Sequence, residues 1–141
     1  METTLIKTAE SIALLAHWGQ MDKRGELYFD HSKRVALKGK MEEEIALGYL
    51  HDVIEDSGVF DYDILEQQFH IPSFIITSLK AITRVPQETY FDYIKRLSTD
   101  SLAKSVKIYD LEDHLDYKEA IPESLIKRYE KALKLLQNTI K

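Results

Sequence analysis

Four ionisable side chains fall within the six residues from His51 to Asp56, and their types suit a metal ion. The surrounding segment 44–56 has helical periodicity, and a helix turning about 100° per residue would place His51, Asp52, Glu55 and Asp56 along one side. Glu55 lies four residues after His51, and Asp56 four after Asp52, which are spacings that stack side chains. Carboxylates held this close repel one another unless a positive charge lies among them. A divalent cation would supply that charge.

A metal site needs more ligands than this segment offers, because the side chains of His51 and Asp52 would diverge by about 100° on a helix. His31 and Asp110 are the further candidates. Asp110 lies on an otherwise apolar helical segment, where an unpaired buried carboxylate would be costly. Two imidazoles and two carboxylates suit Mn, Fe, Co, Ni or Zn, with positions left for water or substrate. The alternative for the segment from His51 to Asp56 is a solvated acidic helix face.

The composition is that of an ordinary globular chain, with 141 residues of which 44% are hydrophobic and 30% charged. This length suits one domain over residues 1–141. The absence of cysteine excludes disulfides, thiolate zinc sites and cysteine nucleophiles. We find no signal region or membrane span, and the formal net charge of -5 opposes a nucleic acid polymer as partner. We therefore expect a cytoplasmic protein with a small phosphorylated partner, whose oligomeric state the sequence does not set.

Helical periodicity runs through the chain, which has five glycines and three prolines and no strand-type alternation. The sequence therefore predicts an all-α domain. Asp30 is expected to be a helix N-cap, and Pro72 is expected at a first helical position. The predicted helices span residues 3–17, 30–38, 44–56, 62–69, 72–83, 88–97, 101–117 and 122–140.

The order of the candidate ligands resembles a known signature. His31, the pair His51-Asp52 and Asp110 are similar to the H...HD...D pattern of the HD-domain metal-dependent phosphohydrolases. The likeness extends to the hydrolase domain of the RelA/SpoT family and to the small stand-alone alarmone hydrolases, and it covers residues 14–136. The matching motifs are AHWGQ at 16–20, GELY at 25–28, LHDVIED at 50–56, AITR at 81–84 and VKIYD at 106–110.

This resemblance implies a single compact HD-domain helical bundle that acts as a metal-dependent phosphohydrolase. The family removes the 3'-pyrophosphate of guanosine tetra- and pentaphosphate. Its acidic pair, here Glu55 and Asp56, serves hydrolysis by positioning or deprotonating water. Its single Mn2+ is held by two histidines and two aspartates, although another divalent transition metal remains open here. The corresponding metal ligands in this chain are His31, His51, Asp52 and Asp110.

The substrate side follows the family pattern less closely. Asp22 stands where the family usually has Arg, His114 replaces an Asn that contacts the nucleotide, and acidic Glu112 and Asp113 replace basic character. Phosphate still needs charge-assisted donors. The candidate substrate-binding residues are Lys23, Arg24, Arg84, Lys107, His114 and Tyr129. Two alternatives stay open, namely an HD-type nucleotidase or phosphatase acting on another phosphorylated metabolite, and a catalytically silent nucleotide-binding metal module.

Overall fold

A computed structural model of the chain describes residues 2–138. The predicted all-α fold is confirmed, since these residues form helices and no strand beyond an isolated antiparallel bridge between Met21 and Leu27. A π-helical turn spans Ile64–Gln68 and a 3-10 turn spans Lys118–Ala120. The predicted end of the last helix at Ile140 lies outside the described residues. The α-helices are α1 Thr4–Ala16, α2 Tyr28–Leu37, α3 Glu42–Leu50, α4 Val53–Asp56, α5 Ser73–Ile82, α6 Tyr90–Leu97, α7 Ser101–Asp116 and α8 Glu123–Asn138.

Helix α3 lies at the centre of the fold, where it packs against α1, α2, α5 and α7. Its residues 46–50 are all buried, as expected for a helix that is apolar on every side. Gly48 allows the close approach of α2, because a Cβ at this position would lie 2.7 Å from the Cα of Ala36. The packing of α2 on α3 fixes the distance between the segments that carry His31 and His51.

The predicted continuous helix over residues 44–56 is wrong, because α3 ends at Leu50 and α4 begins at Val53. His51 and Asp52 form the turn between them, with Asp52 at φ -107° and ψ 2°. The ring of His51 donates its Nδ1 hydrogen to the carbonyl of Gly48, which in a continuous helix would accept the amide of Asp52. The two side chains consequently converge instead of diverging.

Two of the predicted helix ends are also corrected. Helix α2 begins at Tyr28, and its N-cap is Leu27 in extended conformation. Asp30 is not the N-cap but lies in the first turn, where its charge favours the helix dipole. Pro72 is the N-cap of α5 and precedes the first helical residue.

Helix α7 presents the polar residues of the site. It packs against α2, α3, α5 and α8, and its N-cap Asp100 accepts a hydrogen bond from the amide of Ala103. Lys107, Asp110 and His114 follow one another at spacings of three and four residues and therefore share one face. Among residues 2–138, no helix combines the length and apolar character that crossing a bilayer requires.

Candidate active site

The four predicted metal ligands come together at the junction of α2, α7 and the turn between α3 and α4. One ligand atom from each of His31, His51, Asp52 and Asp110 lies within 4.8 Å of every other. The Oδ1 atom of Asp110 lies 2.9 Å from Nε2 of His31 and 3.2 Å from Nε2 of His51. The Oδ2 atom of Asp52 is 3.0 Å from the same nitrogen of His51. Two imidazole nitrogens and two carboxylates therefore face one point.

Hydrogen bonds on the far side of each ring orient both histidines. Nδ1 of His31 donates to Oδ2 of Asp113 at 2.7 Å, and Nδ1 of His51 donates to the Gly48 carbonyl at 2.7 Å. In a neutral imidazole, a proton on Nδ1 leaves Nε2 as the acceptor. With Nδ1 held in this way, each ring turns its Nε2 toward the carboxylates, and in the neutral form that nitrogen can offer its lone pair to a metal.

The charged groups of the cluster raise the pKa of His51 and lower the pKa of Asp110. Burial lowers the pKa of His51, but the negative charges of Asp52 and Asp110 outweigh burial and raise that pKa well above its ordinary value. For Asp110, burial raises the pKa, yet the charges of Lys107 and His51 hold it well below its ordinary value. Protons and metal ions compete for the same nitrogen and oxygen atoms. The two imidazoles and two carboxylates of the cluster form the donor set that a divalent transition metal requires.

Glu55 and Asp56 lie beside this cluster, at the end of α4. Oε1 of Glu55 accepts the backbone N–H of Arg84 at 3.1 Å, and Oδ2 of Asp56 accepts the side-chain amide of Gln20 at 3.3 Å. Burial, followed by the charge of Asp52, raises the pKa of both carboxyl groups. A raised pKa suits a group that accepts a proton from water.

Lys107 and Arg84 supply positive charge on the same side as Glu55 and Asp56. Nζ of Lys107 lies 2.9 Å from Oδ2 of Asp110. Burial lowers the pKa of Lys107, but the charge of Asp110 outweighs burial and raises it well above its ordinary value. Both cations line a polar pocket that also contains the carboxylates of Glu55 and Asp56. We call this cavity the carboxylate pocket.

Lys23 and Arg24 lie apart from this pocket, in a second cavity on the other side of His31. The guanidinium of Arg24 binds the carboxylate of Asp22 at 2.9 Å and lies 4.4 Å from the ring centroid of Tyr117. The structure therefore separates the four predicted basic residues into two pairs. Lys23 and Arg24 face the second cavity, whereas Lys107 and Arg84 face the carboxylate pocket.

His114 lines both cavities, and its ring lies between those of His31 and Tyr129. The ring of His114 stacks on His31 at a centroid distance of 4.2 Å and on Tyr129 at 5.3 Å. Nε2 of His114 also lies 3.2 Å from Oδ1 of Asp110. The departure from the family pattern at position 114 thus places an imidazole directly against the candidate metal ligands.

Asp113 and Tyr28 also contact the candidate metal ligands, although the sequence predicts neither as a site residue. By sequence Asp113 is only a departure from the family pattern on the substrate side, yet it is buried and binds both His31 and the guanidinium of Arg34. These hydrogen bonds outweigh burial and lower its pKa to about 2. Tyr28 donates its hydroxyl to Oδ2 of Asp52 at 2.5 Å. The spacing of three residues between Asp110 and Asp113 was the one signal that could have identified Asp113.

Comparison with solved structures identifies a protein of similar fold. The chain superposes on a structure described as "A metazoan ortholog of SpoT hydrolyzes ppGpp and plays a role in starvation responses", with a TM-score of 0.76 and 19% sequence identity. This likeness covers 94% of the present chain and 85% of the other. The two proteins therefore share one helical fold.

Sequence relatives point in the same direction. The chain is 32% identical over 72 residues to "Putative GTP diphosphokinase RSH1, chloroplastic" of Arabidopsis thaliana, and 34% identical over 74 residues to the protein of that description in Oryza sativa subsp. japonica. These matches cover 48% and 50% of the present chain but 8% of each plant protein. No protein-family model matches the chain. The shared fold and the sequence relatives together confirm the predicted resemblance of this chain to the hydrolase domain of the RelA/SpoT proteins.

Proposed function

We propose that this chain is a metal-dependent phosphohydrolase of small nucleotides that removes the 3'-pyrophosphate of guanosine tetra- and pentaphosphate. One observation carries the proposal. His31, His51, Asp52 and Asp110 converge within 4.8 Å, and a separate carboxylate, Glu55, lines the adjacent pocket. A fold shared with a protein described as hydrolysing ppGpp supports the same reaction.

The metal ligands would be the four convergent residues, and we assign the chain to the HD-domain superfamily on that pattern. Mn2+ is the favoured ion, with Fe, Co, Ni and Zn as alternatives for this donor set. When bound, such an ion would acidify water and draw negative charge from a phosphoryl group. Asp113 and the Gly48 carbonyl keep the two histidines oriented for this role.

The other residues of the carboxylate pocket would handle water and phosphate. Glu55 or Asp56 would orient the attacking water and accept its proton, since burial and the charge of Asp52 raise the pKa of both groups. Arg84 and Lys107 would offset the negative charge of the phosphoryl oxygens. The second cavity, on the far side of His31 and His114, would receive the nucleoside.

A second candidate is an HD-type nucleotidase or phosphatase that acts on another phosphorylated metabolite. It is favoured by the polar groups of the second cavity, which already bind one another. Arg24 is paired with Asp22, and Arg34 with Asp113. A nucleobase would find fewer free donors and acceptors there.

A substrate panel tests both candidates. Purified protein with Mn2+ is offered guanosine tetraphosphate and a series of nucleotides, while pyrophosphate and orthophosphate are measured separately. Pyrophosphate release from guanosine tetraphosphate is expected. Orthophosphate from nucleoside monophosphates alone would move the assignment to the nucleotidase, and binding without turnover would favour a catalytically silent metal module.

The proposal also covers the cellular location of the protein and the domain organisation of the chain. We propose that residues 1–141 form one domain. We also propose a cytoplasmic location, because a chain without cysteine needs no oxidising compartment. Fractionation of the native host and limited proteolysis of the purified chain would test the two statements.

A further inference from the structure

Two arginines in the carboxylate pocket differ from the other arginines of the chain in lacking a carboxylate partner. Arg24, Arg34 and Arg96 each form an ion pair. Within the described range 2–138, neither Arg84 nor Arg128 forms an ion pair, although Nε of Arg84 donates to the backbone carbonyl of Glu88 at 3.1 Å. Unpaired positive charge at this pocket is what an anionic ligand would neutralise.

Tyr90 holds both of these guanidiniums against its ring. The guanidinium carbon of Arg128 lies 4.9 Å from the ring centroid and that of Arg84 lies 5.6 Å from it. The two arginines come from different elements, since Arg84 follows α5 and Arg128 lies on α8. The aromatic ring of α6 thus gathers two cations from separate parts of the chain into one place.

The hydroxyl of Tyr90 is itself without a hydrogen-bond partner in the part of the chain that the structure describes. Tyr90 is only 8% exposed and lines the carboxylate pocket. Leaving a buried hydroxyl without a hydrogen-bond partner costs free energy, so such groups commonly bind a ligand or a water. Burial raises the pKa of Tyr90, and the hydroxyl therefore remains a proton donor at neutral pH.

We propose that Tyr90, Arg84 and Arg128 form a phosphate subsite, in which the phenol hydroxyl and two guanidiniums donate to the oxygens of one phosphoryl or pyrophosphoryl group. The inference rests on the proposed function, because it names the groups that would hold the phosphate of that reaction. Glu55 lies in the same pocket, so a phosphate held here is presented to the carboxylates. Arg128 and Tyr90 were not among the substrate-binding residues expected from the sequence.

Binding of inorganic phosphate to the full chain tests the subsite. Affinity is measured by calorimetry with one equivalent of Mn2+ and again after chelation. Arg128→Gln is expected to weaken phosphate binding about tenfold or more, the loss typical of a hydrogen bond to a charged group. Tyr90→Phe is expected to weaken it several-fold without lowering the melting temperature, because the removed hydroxyl has no described partner.

Lys131→Gln is the matched control. Lys131 is also a cation of α8 that rests on an aromatic ring of α6, with Nζ 4.6 Å from the ring centroid of Phe91. The Lys131→Gln variant should bind phosphate as tightly as wild type. The subsite is overturned if wild type binds no phosphate in either state, or if Arg128→Gln and Tyr90→Phe bind it as tightly as Lys131→Gln.

Hydrolysis assays separate this inference from the function on which it rests. If wild type fails to hydrolyse guanosine tetraphosphate while Arg128→Gln loses phosphate affinity, the subsite stands and the proposed substrate is wrong. If wild type and Arg128→Gln hydrolyse it with equal KM, the function stands and the subsite is wrong.

Discussion

Replacement of Asp113 by asparagine tests whether this buried carboxylate orients His31. Oδ2 of Asp113 accepts from Nδ1 of His31 at 2.7 Å, and the two carboxylate oxygens accept from Arg34 at 2.8 and 3.0 Å. Asparagine offers one acceptor oxygen where aspartate offers two. Its amide nitrogen must therefore face a donor, either the ring of His31 or the guanidinium of Arg34. If it faces His31, the ring proton moves to Nε2 and the lone pair is lost from the candidate metal site.

The magnitude follows from these contacts. Loss of a hydrogen-bonding partner behind a metal-binding histidine typically costs about 10- to 100-fold in metal affinity. This range corresponds to about 1.4–2.8 kcal/mol of binding free energy. The variant also loses a charge-assisted hydrogen bond, but the side chain of Arg34 is 30% exposed and water can replace part of that bond. We expect the free energy of unfolding of the metal-free protein to fall by about 2 kcal/mol.

Calorimetric titration of Mn2+ and denaturant unfolding of chelated protein measure the two effects. Asp116→Asn is the control on the same helix, because the side chain of Asp116 is 68% exposed. Arg34→Gln removes the guanidinium while leaving the hydrogen bond between Asp113 and His31, so it should reduce stability more than Mn2+ affinity. Unchanged Mn2+ affinity in Asp113→Asn, or an equal loss in Arg34→Gln, would refute the orienting role of Asp113.

Three further substitutions probe catalysis, packing and pH dependence. Glu55→Gln removes a charge at constant size, so kcat for guanosine tetraphosphate should fall about 100-fold or more in steady-state assays while Mn2+ affinity is kept. Gly48→Ala would place a Cβ 2.7 Å from the Cα of Ala36, and denaturant unfolding should show a loss of about 1–3 kcal/mol. In Glu88→Gln the effect depends on pH. Hydrogen bonds from Arg96 lower the pKa of Glu88 in the folded protein, so the ionised pair adds stability above the ordinary pKa, and this stability is lost as pH falls through the lowered value. The difference in melting temperature from wild type should be largest near neutral pH and should vanish in acid.

Exposed residues of the same types provide the controls. Glu42→Gln should leave kcat unchanged, since Glu42 is an exposed residue of α3. Gly58→Ala should leave stability unchanged, because a Cβ there would meet nothing within 4 Å. A kcat for Glu55→Gln close to that of Glu42→Gln would show that Glu55 takes no part in catalysis, and equal stability of the two glycine variants would remove the packing argument.

The sequence by itself determined the fold class and the types of residue in the site. Helical periodicity depends on neighbours three and four positions apart, so it could be read directly and predicted α1, α5 and α7 to within a residue or two at each end. The candidate ligands could be named because His51-Asp52 resembles a family pattern and because Asp110 interrupts an apolar face.

Only the tertiary structure decided how these residues are arranged. His31 and Asp113 lie 82 positions apart, and their hydrogen bond exists because α7 packs against α2. The turn at His51-Asp52 depends on a side-chain bond to a backbone carbonyl, which competes with the helix and leaves no trace in the periodicity. Likewise, the gathering of Arg84 and Arg128 on Tyr90 requires three elements to meet. Local pattern thus specified the chemistry of the side chains, whereas long-range packing specified which of them share a pocket.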